Sequence, residues 1–557
     1  MFRFVRYIFL FLISCVWFAL FQPWGAFNDP DAFFHAKLTS LLAAHGPLTH
    51  FPWLDLTLLD AHFFDQHFLF HILLIPFEKI FGMLSGTQVA AVFFAASFIT
   101  LFYFVLRSLK IQHAEFWIFL CAISSPLIIR LSLAKASPLA LIWFVMGIWA
   151  LIGRGRPERL PGVAGGTRAA DGTRAADGTR ANAWVRPYVL PFLAGLGFAL
   201  SHGGWMILLV CQVLCLIGEA CYARIVDEAP WKKLVSLAQV NIIFLTGLGI
   251  LVGLLIHPNR AQAIPFLWTQ VVQVGLVTPI GRVFLGQEWL PIAPQKLFIV
   301  LAPLMMIGFG LVLGLLSAIR QPLDRLRARQ IIMLAFPAAI LLAFTLKSYR
   351  FVEYLIPVSI LWFASVWSLV DPRHFWQTMC ETWERLMFRV YPFLRRIGFF
   401  ILVLLCLSVF VHDIRLAFVP LHTHIRPFDQ FQLAMQEISQ LAKPGDRVFH
   451  SNWDQFPQLF TLDDRLRYVA GVDPTFLLVQ NPELSDLYRD LTLGRTTVNV
   501  VPTIQDRFGA RFILVEPEGH EVFAQAVRLD PHTSRLYRDS KIEVYEIKDD
   551  LDDPDVE

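Results

Sequence analysis

Apolar residues in this chain fall in long unbroken runs rather than in the short periodic stripes of a soluble domain. A membrane crossing needs about 20 largely apolar residues. Runs of that kind predict helices near residues 7–22, 87–107, 115–131, 137–153, 187–202, 205–222, 234–256, 296–318, 330–346, 353–370 and 397–418. The first run follows Arg3 and Arg6 in the manner of a signal peptide. Bulky Phe21-Gln22-Pro23-Trp24 stands where a small-residue cleavage site would be needed, so the segment is expected to stay as an anchor.

Segment 66–84 is apolar too, but it carries Gln66, His67, His71, Glu78 and Lys79. Uncompensated charges near the centre of a crossing cost about 3 kcal/mol each. The pattern instead predicts a helix lying in the interface, with Leu69, Phe70, Ile72, Leu73 and Phe77 turned to lipid. The distribution of basic residues supports this reading. With eleven crossings and the N-terminus inside, 23 of the 33 Lys and Arg in residues 1–420 fall in cytoplasmic segments. A twelfth crossing at 66–84 would move nearly all of those clusters to the other side.

Past residue 420 the long runs stop. Residues 428–442 have helical periodicity and end at Lys443-Pro444-Gly445-Asp446, a stop-and-turn sequence. Arg447–Ser451 and Arg511–Val515 read as buried strands, and Lys541–Ile547 alternates like a half-exposed one. The expected organisation is a transmembrane domain over 1–420, with a first extracytoplasmic loop at 23–86, and a soluble α/β domain over 421–557. Between them in character is 154–186, where Gly-Thr-Arg-Ala-Ala-Asp repeats from Gly166 and Gly172; three short copies cannot bury a core, and a flexible cytoplasmic loop is expected.

Composition agrees. Of the 557 residues 56% are apolar and 16% charged, where a soluble domain carries roughly a quarter charged. A wholly soluble enzyme, a disordered scaffold and a nucleic-acid binder are thereby excluded. Residues 1–420 hold 33 basic against 20 acidic residues, and 421–557 hold 14 against 24, which describes a basic membrane body with an acidic tail. All seven cysteines precede residue 421, so the tail must fold on a packed core without disulfides.

The first loop concentrates the candidate chemistry: Asn28-Asp29-Pro30-Asp31-Ala32-Phe33-Phe34-His35, then Asp55, Asp60, His62, Asp65, His67 and His71. Carboxylates beside a membrane are costly unless water, a partner or a metal compensates them. A transferase working on a lipid-phosphate donor needs a carboxylate to polarise or deprotonate the acceptor and positive charge to meet the departing phosphate. Asp31, with Asp29 second, is the candidate for the first task; Arg350, Arg130 and Lys135 are candidates for the second. The same residues also have structural readings. Asp29 and Asp31 suit the start of the following helix, Arg350 can pair with Glu353, and Arg130 and Lys135 can snorkel from helix ends.

Four segments together resemble the catalytic subunit of oligosaccharyltransferase. Asp31-Ala32-Phe33-Phe34-His35-Ala36-Lys37, with a helix closed by His45-Gly46, is similar to that family's first-loop Asp-Pro-Trp-Phe-Asn-Tyr-Arg motif. Ser451-Asn452-Trp453-Asp454-Gln455-Phe456 in the tail is similar to its Ser-Trp-Trp-Asp-Tyr-Gly motif, although Asp454 also suits a helix cap. Ser201-His202-Gly203-Gly204-Trp205 resembles a Gly-Gly-aromatic element and suits a plain turn equally. Tyr349-Arg350-Phe351 resembles the arginine that the family places near the donor's pyrophosphate. The resemblance implies a GT-C-type polytopic glycosyltransferase that takes a sugar or oligosaccharide from a polyprenyl-phosphate or -diphosphate carrier. It also implies that Trp453 and Asp454 meet the acceptor.

Departures narrow what is implied. The family's second extracytoplasmic loop has an acidic pair that helps to hold Mg or Mn; here Arg130 is followed by Lys135 and no acid. Loop 257–295 has Glu288 as its one acidic residue. An acceptor other than the protein sequon is therefore expected. A divalent metal would have to sit on Asp29 and Asp31 with His67 and His71, which are spaced to share a helix face. The expectation is thus a GT-C-like enzyme of about eleven spans in a bacterial inner membrane, its α/β tail extracytoplasmic, with a polyprenyl-linked sugar and membrane lipid as partners, an acceptor of undefined class and no nucleic acid. The competing reading is a non-catalytic carrier-binding or transporter-like protein on the same scaffold.

Overall fold

The computed structural model describes residues 2–153, 188–270, 325–369 and 392–548, with isolated positions at 272–273, 291–293, 295, 308, 377 and 381. The predicted crossing at 296–318 (Gly308 apart), the repeat segment 154–186 and Glu288 lie outside the described residues.

Each of the other ten predicted crossings coincides with an apolar helix. Among the described residues six helices have the length and apolarity to cross a membrane: Met83–Ser108, Met206–Ile225, Leu237–Ile256, Arg325–Lys347, Tyr349–Trp367 and Val403–Thr423. Phe4–Ala19, Ser137–Ile152 and Leu190–Ser201 are apolar but shorter. The segment predicted as one helix over 115–131 is two, Ala114–Ile123 and Ser125–Ser132, bent by 69°. Pro126 sits in the first turn of the second piece, where its missing N–H costs nothing. The opened end is satisfied from a distant helix: Asp413 accepts from the Ser125 N–H at 2.9 Å and from its hydroxyl at 2.7 Å. The break carries Arg130 and Lys135 into the interior.

Segment 66–84 forms a 14-residue helix, Phe68–Phe81, shorter than the roughly 20 residues a crossing needs. Its apolar face differs from expectation. Phe70 is buried, its ring 5.7 Å from that of Phe94, and Leu74 is buried with it. Phe77 packs on Phe93 and Phe94, while Ile72 is exposed. The helix uses most of that face to bind Asp31–His45 and Met83–Ser108, because those helices offer apolar partners that outcompete lipid.

The tail is built on a sheet of five strands: β3 (Arg447–His450), β4 (Arg467–Tyr468), β5 (Phe512–Val515), β6 (Thr533–Arg538) and β7 (Glu543–Ile547), in the order β4-β3-β5-β7-β6. β3 runs parallel to β4 and β5; β7 runs antiparallel to β5 and β6. Phe512, Ile513, Leu514 and Val515 are all buried, as an unbroken apolar run in a central strand requires; each contributes about 1.5–3 kcal/mol by leaving water. β7 is less exposed than its alternation predicts. Glu543 is 2% exposed because Arg528 and the Tyr545 hydroxyl bond its carboxylate at 2.6 Å each.

The first loop and the tail form one body on one side of the helices. β1 (Ala26–Phe27), just after the first helix, pairs with β2 (Arg426–Pro427), just after the last. Phe34, Leu38, Phe51 and Leu54 share an apolar core with Phe431, Phe456, Phe460 and Tyr468. Asp55 binds both Arg447 and Arg467, at 2.7 and 2.8 Å.

Candidate functional site

The helix Asp31–His45 opens at Pro30, and Asp29 Oδ1 accepts the Asp31 N–H at 2.9 Å. The local role read for Asp29, at a helix start, is therefore real. Both carboxylates do more than that. Lys135, delivered by the turn after the broken helix, places its Nζ 2.8 Å from Asp29 Oδ2 and 2.8 Å from Asp31 Oδ2. The ammonium is 13% exposed and the two carboxylates 19% and 32%, so the contact is screened from water more than a surface pair yet remains hydrated.

Four residues along the chain from Asp31, His35 lies on the same helix face. Its Nδ1 is 2.8 Å from His71 Nε2, and His71 Nδ1 is 2.8 Å from Asp65 Oδ2. His67 is anchored by its Nδ1, which donates to the Ser201 carbonyl at 3.0 Å, and its ring lies 5.4 Å from that of His202. Gly203 sits over this row against the Gln66 side chain, and the resembling Gly-Gly-aromatic element is a turn facing the first loop. Burial first, then the neighbouring His67, His71, Lys135 and His202, holds the His35 imidazole well below the usual histidine range. Burial likewise pushes His67 down to about 4. For Asp65 burial acts upward but is outweighed by its contact with His71, and the carboxyl lies below its ordinary range.

The predicted phosphate-binding cations separate. Arg130 Nε donates to Glu353 Oε2 at 2.7 Å, both side chains being almost fully buried. Glu353 therefore pairs with Arg130, not with Arg350 as the local reading had it. Lys135 stands on the two carboxylates rather than apart from them. Arg350, in the single turn Tyr349–Phe351 between two helices, lines the site cavity with Tyr349.

From the tail, Trp453 and Asp454 line the same cavity. Asp454 does not cap the helix that follows. It lies inside the short turn Trp453–Gln455, which Asn452 and Gln455 box in, while the helix after it starts at Gln455 without a side-chain cap and Asp454 binds Arg426. Burial raises the Asp454 carboxyl and Arg426 only partly opposes it.

These groups face one cavity of about 1470 Å³. Asp29, Asp31 and His35, then Arg130 and Lys135, then Arg350 line it from the membrane body, and Trp453 and Asp454 from the tail. Asp29, Asp31, Arg130, Lys135, Arg350, Trp453 and Asp454 thus all line one cavity. The metal set is not assembled. Among the described residues no group of three or more His, Cys, Asp or Glu side chains is arranged to hold an ion. Both ring nitrogens of His71 are engaged, and Lys135 occupies Asp29 and Asp31. Among the described residues the donor set does not fit a divalent cation. Sequence reading also passes over His35 and His202. The i,i+4 spacing of Asp31 and His35 was the available signal for the first; His202 had none beyond its turn.

The fold recurs in solved membrane proteins. The chain is similar to the Archaeoglobus fulgidus oligosaccharyltransferase in its apo form, with 14% identity, a TM-score of 0.57, and 92% of this chain matching 70% of that one. ArnT from Cupriavidus metallidurans in its apo state matches at 13% identity and a TM-score of 0.55 over 97% of both chains. The arabinofuranosyltransferase AftD from Mycobacteria matches at 11% identity and a TM-score of 0.57, over 98% of this chain and 40% of that one. No protein-family profile and no curated protein sequence matches the chain. At such identities the likeness shows a shared fold and nothing beyond it.

Proposed function

We propose that the protein is a membrane glycosyltransferase that moves a sugar or oligosaccharide from a polyprenyl-(di)phosphate carrier to an acceptor at the extracytoplasmic face. The observation that carries this reading is the Asp29–Lys135–Asp31 cluster opening into a cavity that Arg350 and the tail also line. At about 1470 Å³ the cavity exceeds the 300–1,000 Å³ of ordinary small-molecule sites, enough for a glycosyl phosphate and an acceptor together. The solved oligosaccharyltransferase and arabinofuranosyltransferase of the same fold support the reaction class.

In the proposed transfer an acceptor oxygen or nitrogen attacks the anomeric carbon. A bond forms there, the bond from that carbon to the phosphate oxygen breaks, and the electron pair leaves on the phosphate. Asp31 orients the acceptor and takes its proton; Asp29 shares Lys135 with it and keeps the ammonium in place. Arg350 meets the charge that develops on the leaving phosphate. Arg130 is committed to Glu353 and serves by keeping the wall behind the site rigid. Trp453 and Asp454 stand at the acceptor entrance. Since the donor set does not fit a divalent cation, positive charge at the carboxylates comes from Lys135, and the reaction is proposed to run without Mg or Mn.

Eleven crossings, a cytoplasmic N-terminus, an extracytoplasmic tail and a bacterial inner-membrane location complete the proposal. The pairing of β1 with β2 supports the part that places first loop and tail on one face; basic residues supply the direction. Purified protein in lipid nanodiscs, offered polyprenyl-linked sugars, tests the function. Turnover supports the enzyme; carrier binding without turnover supports the non-catalytic reading.

A further inference from the structure

The chain Asp65–His71–His35 is a buried relay that the transfer chemistry above leaves unused. His71 is 0% and His35 3% exposed, an expensive place for two imidazoles unless their nitrogens are used. The protons follow from the carboxylate, which can only accept. With both rings neutral, His71 Nδ1–H donates to Asp65, so His71 Nε2 carries a lone pair. That lone pair accepts from His35 Nδ1–H, and His35 Nε2 is left unprotonated. Among the described residues Nε2 has no hydrogen-bond partner, and it is not sealed from solvent, while His35 itself lines the cavity.

The groups facing His35 favour the neutral ring. Burial first, then His67, His71, Lys135 and His202, all oppose a proton on it. Asp31 lies one turn back on the same helix, already bound to Lys135. The polar atom His35 offers is therefore an acceptor without charge, which suits a hydroxyl and not a phosphate. Its neighbour His67 feels the charge of Arg350, and Arg350 is where the carrier phosphate is proposed to lie. The hydroxyl-bearing group attached to that phosphate is the donor sugar.

We propose that His35 is a specificity-determining residue whose Nε2 accepts a hydrogen bond from one hydroxyl of the carrier-linked sugar, with Asp65 and His71 acting as positioning residues that fix its tautomer. This rests on the glycosyl-transfer reading and extends it to how the sugar is recognised. A site built around one hydroxyl rejects the analogue lacking it, by about tenfold for a single neutral hydrogen bond.

The test uses the full-length protein in nanodiscs and a panel of polyprenyl-phosphate hexoses and pentoses, each with its monodeoxy counterparts. For one position of the best-bound sugar, Kd rises about tenfold on removal of the hydroxyl. In His35→Phe that ratio falls to about one, and His35→Gln, whose amide oxygen also accepts, restores part of it. A ratio unchanged in His35→Phe overturns the proposal. Ring-nitrogen NMR of histidine-labelled protein at pH 8 gives a readout independent of the ligand. It should show His35 protonated on Nδ1 alone, and a mixture of tautomers once His71→Leu removes the acceptor; a proton on Nε2 in the unsubstituted protein overturns the proposal as well. Failure of the unsubstituted protein to bind any member of the panel refutes the glycosyl-transfer reading instead, and the NMR result still decides the tautomer.

Discussion

Replacing Lys135 by Met keeps the length of the side chain and deletes the charge that holds Asp29 and Asp31 together. At an effective dielectric constant of about 20, two charges 4 Å apart interact by about 4 kcal/mol, and Lys135 lies 2.8 Å from each carboxylate. Desolvation of the three groups cancels much of this. Full burial would make the loss about 3–5 kcal/mol; with carboxylates 19% and 32% exposed, about 2 kcal/mol of stability is expected. The effect on transfer is larger. Without the ammonium, the two adjacent carboxylates repel each other and Asp31 is no longer held where it meets the acceptor. At pH 7 the rate should fall at least about 100-fold, and Lys135→Arg should recover part of it. The assay is transfer from a polyprenyl-linked sugar at pH 7, with melting temperature measured alongside. A Lys135→Met protein with an undiminished rate refutes the reasoning.

Three further outcomes are expected. Chelation of divalent cations with EDTA should leave transfer within about twofold, since no described donor set competes with Lys135 for the carboxylates; abolition restorable by Mn would show that a metal displaces the lysine. Glu353→Gln takes the carboxylate from Arg130 in an almost fully buried position and should cost about 3–5 kcal/mol, read as a fall in melting temperature, whereas Arg350→Gln should lose transfer. His450, the buried last residue of β3, is held down to about 4 by its burial. Its unfolded counterpart binds a proton below about 6.5, so stability is complete above that pH and declines as pH falls toward 4. Between pH 7 and 5 the decline is about 2 kcal/mol, and His450→Gln should lose that slope; an equal slope in both proteins would assign it elsewhere.

The helices were legible in the sequence because lipid-length apolar runs dictate them one at a time. What the runs do not encode is how ends are met. The break at Ser124 depends on Asp413, supplied by the last helix, and no window of sequence contains both. The same holds at the site. Asp29 and Asp31 stand out because acids beside a membrane need a reason, but their partner Lys135 comes from a different loop, and its own neighbours in sequence suggest only a stray cation. Arg130 and Arg350 look equivalent in sequence; the fold gives Glu353 to the first and leaves the second on the cavity wall. Histidines 35, 67, 71 and 202 form a row only after the first loop folds over the turn at Gly203. Their spacing therefore suggests a metal site that the folded arrangement does not build.

The most direct test of glycosyl transfer at the Asp29–Lys135–Asp31 cluster is the rate of sugar transfer by Asp31→Asn, measured on protein whose carrier binding and melting temperature have been checked in the same preparation. Binding should persist within about threefold while transfer falls by about 100- to 10,000-fold. An Asp31→Asn protein that binds the carrier and transfers sugar at the unsubstituted rate would contradict it.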